Sequence, residues 1–422
     1  MNAYADLLRT PGVARIITAQ LLARFPGGMI SLGFLLHLEA IFDSYGAAGL
    51  VLAATSAGQA LSGPLTSRWM GVWGMRPVLI LTTAVSTVAL LTVALASMPL
   101  WGYILAGLIA GLSNPPIQPA VRTIYPKMVN SRQLTPLFSL DASAQEIIWV
   151  AGPVVVTFIG TQVSTVAGIL TAVAFLVGGG LWFILSPEVG QVRIPRSKRR
   201  FGVVLARPPV LLSTVTGFLL IGSCAAIETG VVATFGDHGP EAGFVLAIWA
   251  ISSFAGGLAF GHVPVGPWAL ARRMFVVFVG ATLAIFAWEF WSLSLLLVIA
   301  GLCIAPALAV MFAIVSASVK FSDTAEAYGW IGTGQLIGAA AGAAIAGFVI
   351  DAIDGVPSRP PRPARTRREP DPRHGARPDS AELTVSALNE RIRRSGLVAV
   401  VDVLRVRQAR QEAEEHHTGD RG

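Results

Sequence analysis

Residues 108–153 read LIAGLSNPPIQPAVRTIYPKMVNSRQLTPLFSLDASAQEIIWVAGP, and the interpretation of the whole chain starts from this stretch. Two apolar runs flank a short basic segment, and the runs themselves contain polar and charged residues. Such side chains are costly in hydrocarbon, so they face the interior of a helical bundle or a watery cavity. The polar and charged residues of the two runs are Asn114, Gln118, Asp141, Gln145 and Glu146.

A weaker copy of this stretch lies 190 residues further along the chain, where Ile109–Leu112 recurs unchanged as Ile299–Leu302. A constant offset over two successive apolar runs predicts a duplicated membrane unit. The same offset relates three further pairs: Pro116 and Pro306, Gln145 and Gln335, and Gly152 and Gly342.

The composition is that of an integral membrane protein. Of 422 residues, 54% are hydrophobic and only 13% are charged, and the mean hydropathy is +0.66. Soluble proteins carry about 25% charged residues. The two cysteines, Cys224 and Cys303, lie inside apolar runs, which excludes a disulfide framework. We find no phosphate-binding Gly-rich loop, metal-ligand cluster or nucleophile–His pairing, so we expect no nucleotide, no nucleic acid, no metal, no cofactor and no enzymatic activity.

Eleven apolar stretches are long enough to cross a bilayer as helices, at roughly 20 residues each. Between residues 39 and 354, every Lys and Arg lies in or beside alternate connections, which predicts that these connections and the N-terminus are cytoplasmic. The predicted spans are 13–38, 45–67, 77–97, 99–121, 136–159, 163–186, 209–236, 240–261, 268–289, 292–318 and 325–352.

The longest internal connection divides the chain into two halves. Residues 1–186 form a six-helix N-terminal half, 187–208 a basic cytoplasmic linker, and 209–354 a C-terminal half of five helices. We interpret the basic run 193–200 as an orientation signal, and the alternative is a patch that binds lipid headgroups. Residues 355–422 are rich in Pro and Arg, which predicts a disordered tail with a candidate amphipathic helix. We expect that a twelfth helix is missing or replaced.

The organisation resembles the major facilitator superfamily of secondary transporters over about residues 10–354. Connection 2–3 is similar to the family signature Gly-x-Leu-Ala-Asp-Arg-x-Gly-Arg-Arg, although Ser67 replaces its Asp and the loop is about four residues longer. In the family, this loop and its mirrored copy gate the inward face. The resemblance therefore implies gating roles for Gly63, Arg68, Gly74 and Arg76, and for Gly257, Gly261, Arg272 and Arg273.

The fifth span contains Gly152-Pro153, which resembles the core of a motif associated with antiporters and export, without that motif's further glycines. The family's spans 1, 4, 7 and 10 line the substrate cavity, so the resemblance implies substrate contact for Asn114 and Gln118. We also select Gln145, Trp149 and Gln335 as cavity candidates. The residues expected to break or kink helices are Pro26, Pro115, Pro116, Pro153 and Pro306.

Four ionisable residues within the spans are candidates for function. Arg24 lies about eleven residues into the first span, near mid-membrane, where it needs an acidic partner or binds an anionic substrate group. Glu146 and Glu228 are candidates for proton coupling, and the alternative for Glu146 is a fixed Glu–Arg clamp. Asp141 is a third proton-coupling candidate, and the alternative is a simple ion pair with Arg122 or with another basic helix end.

The leading interpretation is an alternating-access transporter, driven by a proton gradient, that exports a small organic molecule. The alternatives are uptake of a sugar, an amino acid or an organic anion, and a transport-inactive membrane scaffold or sensor. We expect a monomeric, multi-pass protein of the bacterial plasma membrane, whose partners are the lipid bilayer and its substrate.

Overall fold

The computed structural model describes residues 2–235, 241–261, 263, 265–287 and 289–354, and over these residues the secondary structure is helical, without strands. Residues up to Gly347 form one compact unit, and Phe348 begins a second. The predicted tail, 355–422, and the question of a twelfth helix lie outside the described residues.

The N-terminal half begins with a short helix and continues with helices joined by tight connections. The first and fourth predicted spans are each built from two helices in succession. The elements are α1 (Asn2–Arg9), α2 (Val13–Arg24), α3 (Pro26–Phe42), α4 (Tyr45–Trp73), α5 (Met75–Leu95), α6 (Leu100–Leu112), α7 (Ile117–Met128), α8 (Ser131–Gln162) and α9 (Thr165–Leu185).

A short helix and a 3₁₀ turn in the linker precede the C-terminal half, whose tenth span is again two helices in succession. The elements are α10 (Pro187–Gln191), the turn Val203–Ala206, α11 (Pro208–Phe235), α12 (Glu241–Phe260), α13 (Ala269–Ala284), α14 (Phe290–Gly301), α15 (Ile304–Ser318) and α16 (Phe321–Asp354).

Each of the eleven predicted spans coincides with one of these helices or with one successive pair. Eight of them, within the described part of the chain, are long and apolar enough to cross a membrane. The other three do not meet both conditions. Helix α4 is less apolar, α6 and α7 are separated by residues 113–116, and α13 has only 16 residues.

Four of the five prolines expected to interrupt helices lie at or beside a break. Pro26 begins α3, Pro115 and Pro116 lie between α6 and α7, and Pro306 lies in the first turn of α15. The expected break at Pro153 is absent, because α8 continues through it from Ser131 to Gln162.

The predicted loop between the second and third spans is also shorter than expected. Helix α4 extends to Trp73 and α5 starts at Met75, so the connection is Gly74 alone. Its φ of 92° is a backbone conformation that glycine adopts without strain. Most of the resemblance to the family signature therefore falls on helix ends.

The two copies of the Ile-Ala-Gly-Leu sequence make equivalent contacts in the two halves. A Cβ atom added to Gly111 would meet the Thr55 backbone of α4, and one added to Gly301 would meet the Trp249 carbonyl oxygen of α12 at 2.9 Å. Helices α6 and α14, which contain the two copies, each end within a residue or two of the repeat. The repeat therefore marks a close helix crossing, followed by a break, in each half.

The basic linker, the end of α4 and the start of α16 meet at one end of the bundle, which we call the basic end. Ion pairs and hydrogen bonds join the linker, α4, α8, α12 and α16 there. Between the halves, α8 packs against α12 and α15, and α4 approaches α16 at Gly63 and Gly329.

Candidate functional site

A buried charge cluster lies between α2, α7 and α8. Arg24, the last residue of α2, donates to Asp141 Oδ1 at 3.3 Å and to Gln20 Oε1 at 2.8 Å. Gln20 Nε2 in turn donates to Asp141 Oδ1 at 3.0 Å, and Arg24 also contacts Gln145. Gln20 and Asp141 are fully buried, whereas Arg24 keeps a partly accessible edge.

Arg122 supplies a second guanidinium to the same carboxylate. The sequence placed it in a basic connection, but it lies within α7 and is 2% exposed. Its Nε donates to Asp141 Oδ2 at 3.1 Å. Its terminal nitrogens lie 2.7 Å from Gln118, whose amide oxygen accepts from them. The ion pair of Asp141 with Arg122, one of the two alternatives for Asp141, is therefore present.

The cluster has more positive charge than negative charge. Two guanidiniums share one carboxylate, and the other members are neutral amides. A buried charge is tolerated when it is paired and hydrogen-bonded. Both pairs with Asp141 meet that condition, and the unbalanced positive charge lies beside the accessible edge formed by Arg24, Gln118 and Gln145.

Aromatic rings of both halves close the cluster on the side of Arg122. The Arg122 guanidinium lies over the ring of Phe312 in α15, 3.4 Å from the ring centroid. Tyr328 of α16 donates its hydroxyl to the Phe312 carbonyl oxygen at 2.9 Å. Phe138 and Tyr125 of the N-terminal half complete the group of rings.

Glu146 lies in a different environment, at the interface of the two halves. Its Oε1 accepts from Ser253 Oγ of α12 at 2.8 Å. Glu228 of α11 is close enough to interact with it electrostatically, and Cys224 lies near both. Within the described residues, neither carboxylate has an ion pair. The fixed Glu–Arg clamp proposed for Glu146 is therefore wrong, because Arg24 pairs with Asp141.

Three cavity candidates lie away from the charge cluster. Asn114 is exposed in the break between α6 and α7. Trp149 is 54% exposed on α8. Gln335, the counterpart of Gln145 in the repeat, packs against Gly217 of α11. Their contact with substrate stays a prediction.

The basic end is closed by ion pairs across the two halves. Arg68 of α4 bonds to Glu326 Oε2 of α16 at 2.6 Å and also donates to the Arg199 carbonyl oxygen. Arg199 pairs with Asp323 at 3.6 Å. The amide of Gly202 donates to Glu326 Oε1 at 2.8 Å. The linker is therefore attached to α4 and α16 together.

A second group of contacts joins α8 and α12 at the same end. Ser139 donates to the Gly257 carbonyl oxygen at 2.6 Å, and the Tyr4 hydroxyl donates to it at 3.1 Å. Burial raises the pKa of the Tyr4 phenol, so the hydroxyl keeps the proton that it donates. Gly261 lies against Ser139 and Tyr4, just beyond α12.

The remaining residues of the predicted gating loops act within one half. Arg76 donates to the carbonyl oxygens of Ile184 and Ser186 at the end of α9. Arg273, its counterpart in the C-terminal half, donates to those of Pro306 and Phe260. Arg272 is exposed. Arg76 and Arg273 therefore join helices of the same half.

The sequence interpretation did not select several members of these groups: Gln20, Phe312, Glu326 and Asp323. Gln20 lies one helical turn before Arg24, which places both side chains on one face. Asp323 lies in the connection that carries Lys320, and Glu326 lies at the start of the predicted eleventh span beside it; these acids next to a basic connection are the sequence signal for a partner of Arg68 or Arg199. Phe312 carries no such signal, because its partner belongs to the other half.

The sequence profile of the Major Facilitator Superfamily matches residues 16–288. The chain therefore belongs to this superfamily, and it is a multi-pass membrane transport protein. No curated protein sequence matches it.

Solved structures share the fold at low sequence identity. The human organic anion transporter MFSD10 (TETRAN) has a TM-score of 0.62 and 15% identity, covering 81% of this chain and 94% of that one. A bacterial homologue of the iron transporter ferroportin, in an outward-facing state, has a TM-score of 0.64 and 13% identity, with 81% and 91% covered. The proton:xylose symporter XylE bound to 6-bromo-6-deoxy-D-glucose has a TM-score of 0.57 and 13% identity, with 81% and 89% covered.

Proposed function

We propose that the protein is a proton-coupled transporter of a small organic molecule, in which Glu146 and Glu228 carry the proton. The observation that supports this is that Glu146 and Glu228 belong to different halves, that Glu228 lies near enough to act electrostatically on Glu146, and that neither has an ion pair among the described residues. Two neighbouring carboxylates repel each other when both are ionised, and binding one proton relieves that repulsion.

The position of the acids links this proton to conformational change. Glu146 belongs to α8 of the N-terminal half, whereas Glu228 belongs to α11 of the C-terminal half. Alternating access in such transporters is largely a rocking of one half against the other. The distance between the carboxylates, and with it the repulsion, therefore changes as the halves move. A proton is bound when they approach and released when they separate.

The charge cluster indicates which class of substrate the protein carries. Two guanidiniums share the carboxylate of Asp141, so the accessible edge at Arg24 carries unbalanced positive charge. This favours a compound with an anionic group, which binds guanidinium through paired hydrogen bonds. We propose export across the plasma membrane, with the basic end in the cytoplasm. Uptake of an organic anion is the second candidate, since the same charge favours it.

Reconstituted liposomes test the proton coupling. The purified protein is tested with a pH gradient of either sign and a panel of labelled organic anions, neutral compounds and cations. The wild type is expected to accumulate an anion in a gradient-dependent way. Glu146→Gln and Glu228→Gln are expected to lose the dependence on the gradient. Glu39→Gln, near the end of α3, is the matched control and is expected to behave as wild type.

The outcomes distinguish the interpretations. Full gradient-driven flux in both glutamine variants rejects the proposed proton carriers. The sign of the effective gradient decides between export and uptake. If a protein with a normal melting transition moves no compound in the panel, the scaffold or sensor interpretation replaces transport.

A further inference from the structure

A cavity of about 550 Å³ lies at the basic end, outside the charge cluster and the acidic pair. Its walls come from the end of α4, the linker and the first two turns of α16. The lining residues that bear on its chemistry are Ser67, Arg68, Arg196, Lys198, Arg199 and Glu326.

The charge of the lining is strongly positive. Four cationic side chains face one carboxylate, that of Glu326. Arg68 is paired with Glu326, and Arg199 is paired with Asp323. Arg196 and Lys198 have no ion pair among the described residues, and both are exposed. Two cations of the cavity are therefore available to a ligand.

Ser67 adds an unused hydrogen-bonding group. Its side chain lines the cavity and is 1% exposed, yet its Oγ has no hydrogen-bond partner. A buried polar group without a partner costs about 1 to 3 kcal/mol, so natural structures usually satisfy it. Rotation of the Ser67 side chain toward the cavity would let a ligand oxygen satisfy this hydroxyl.

We propose that this cavity binds a phosphate group. Guanidinium and ammonium donors of α4 and the linker line the cavity, and a tetrahedral oxyanion accepts from several directions at once. The cavity volume accommodates more than the phosphate itself, so the group belongs to a small phosphate ester, to inorganic phosphate or to the headgroup of an anionic phospholipid.

The bound phosphate ties the linker to both halves. Arg68 belongs to α4 in the N-terminal half, and Glu326 belongs to α16 in the C-terminal half. When the basic end is closed, the cationic side chains of α4 and the linker lie close together around Glu326. An anion held by Arg68, Arg196 and Lys198 offsets that positive charge. The phosphate therefore stabilises the arrangement in which the basic end is closed. This role is independent of proton coupling and of the transported compound.

Thermal melting of the full-length protein in detergent tests the site. Inorganic phosphate is titrated at constant ionic strength, with chloride as the replaced anion. In a second arm, the protein is placed in bilayers of phosphatidylcholine with or without phosphatidylglycerol. Arg196→Gln/Lys198→Gln removes the two free cations. Arg193→Gln/Arg200→Gln is the control, because it removes the same charge from the same linker outside the lining.

The expected result is a saturable rise in melting temperature in the wild type and in the control. In Arg196→Gln/Lys198→Gln, the phosphate concentration at half-saturation rises by about tenfold or more, because the variant removes two cations and the loss of even one charge-assisted hydrogen bond corresponds to about tenfold. Ser67→Asp, which places a carboxylate in the cavity, raises it as well. Stabilisation by free phosphate identifies a soluble ligand, and stabilisation by phosphatidylglycerol alone identifies a lipid headgroup. Equal shifts in all variants, or none in either arm, overturn the proposal.

Discussion

The guanidinium of Arg122 lies 3.4 Å from the centroid of the Phe312 ring, and the two residues belong to different halves of the bundle. The same arginine is bonded to Asp141 on its other side. One side chain thus connects the charge cluster of the N-terminal half to the aromatic group of the C-terminal half. Separation of the halves at the basic end must break this contact.

Phe312→Leu removes the cation–π interaction and is expected to destabilise the protein. A desolvated interaction of this kind contributes about 2 kcal/mol, so the melting temperature should fall. Phe278→Leu is the control, since Phe278 is 64% exposed on α13. Equal melting temperatures for the two variants would contradict the connecting role of the contact.

Asp141→Asn should be more damaging, because it leaves two guanidiniums without their counter-charge. Breaking a buried ion pair from one side costs about 3 to 5 kcal/mol. Thermal melting in detergent measures the loss. Adding Arg24→Gln removes one of the two unpaired cations, so the double variant should melt at a higher temperature than Asp141→Asn alone. A double variant that is less stable than Asp141→Asn would show that Arg24 is held by other partners.

The spans and the repeat were predictable from the sequence, since both depend on local apolar pattern. The helix ends were not: α4 extends six residues beyond the predicted boundary at 67, because its last turns pack against the linker and α16. Within the site, Arg24 was selected correctly as a residue in need of an acid. Its partner is Asp141 and not Glu146, because α8 in the folded bundle is rotated so that the Asp141 side chain faces Arg24.

Contacts between the halves were the least predictable part of the site. Glu326 and Arg68 are 258 residues apart, and Phe312 meets Arg122 only after both halves have assembled. The pattern of apolar and polar residues within each segment does not indicate which residue of the other half it will contact. The acids at the start of α16 did carry a usable signal, because they lie in or directly beside a basic connection.

Glu326→Gln is expected to loosen the basic end. It removes the counter-charge of Arg68 and weakens the bond from the Gly202 amide. A partly exposed ion pair contributes up to about 1 kcal/mol, which corresponds to roughly a fivefold change in an equilibrium. The measurement is the labelling rate of Thr66→Cys, a position that is 1% exposed, by a thiol reagent in a background without Cys224 and Cys303. Glu241→Gln, on α12, is the charge-matched control. An unchanged rate in Glu326→Gln would mean that the ion pair does not hold this end closed.

Gly152→Ala and Gly342→Ala test whether the two halves share one packing geometry. A Cβ atom on Gly152 would lie 2.8 Å from the backbone carbon of Gly28, and one on Gly342 would collide with the Gly222 backbone. Backbone atoms do not move aside cheaply, so each substitution should cost about 1 to 3 kcal/mol as the helices are forced apart. Gly178→Ala is the control, because nothing lies within 4 Å of the added atom. There the change should stabilise the helix by about 0.5 to 1 kcal/mol, since alanine favours helix over glycine. Thermal melting of the three variants gives the comparison. If Gly342→Ala melts like Gly178→Ala while Gly152→Ala is destabilised, the close helix crossing exists only in the N-terminal half. Gly152 and Gly342 would then correspond in sequence but not in packing.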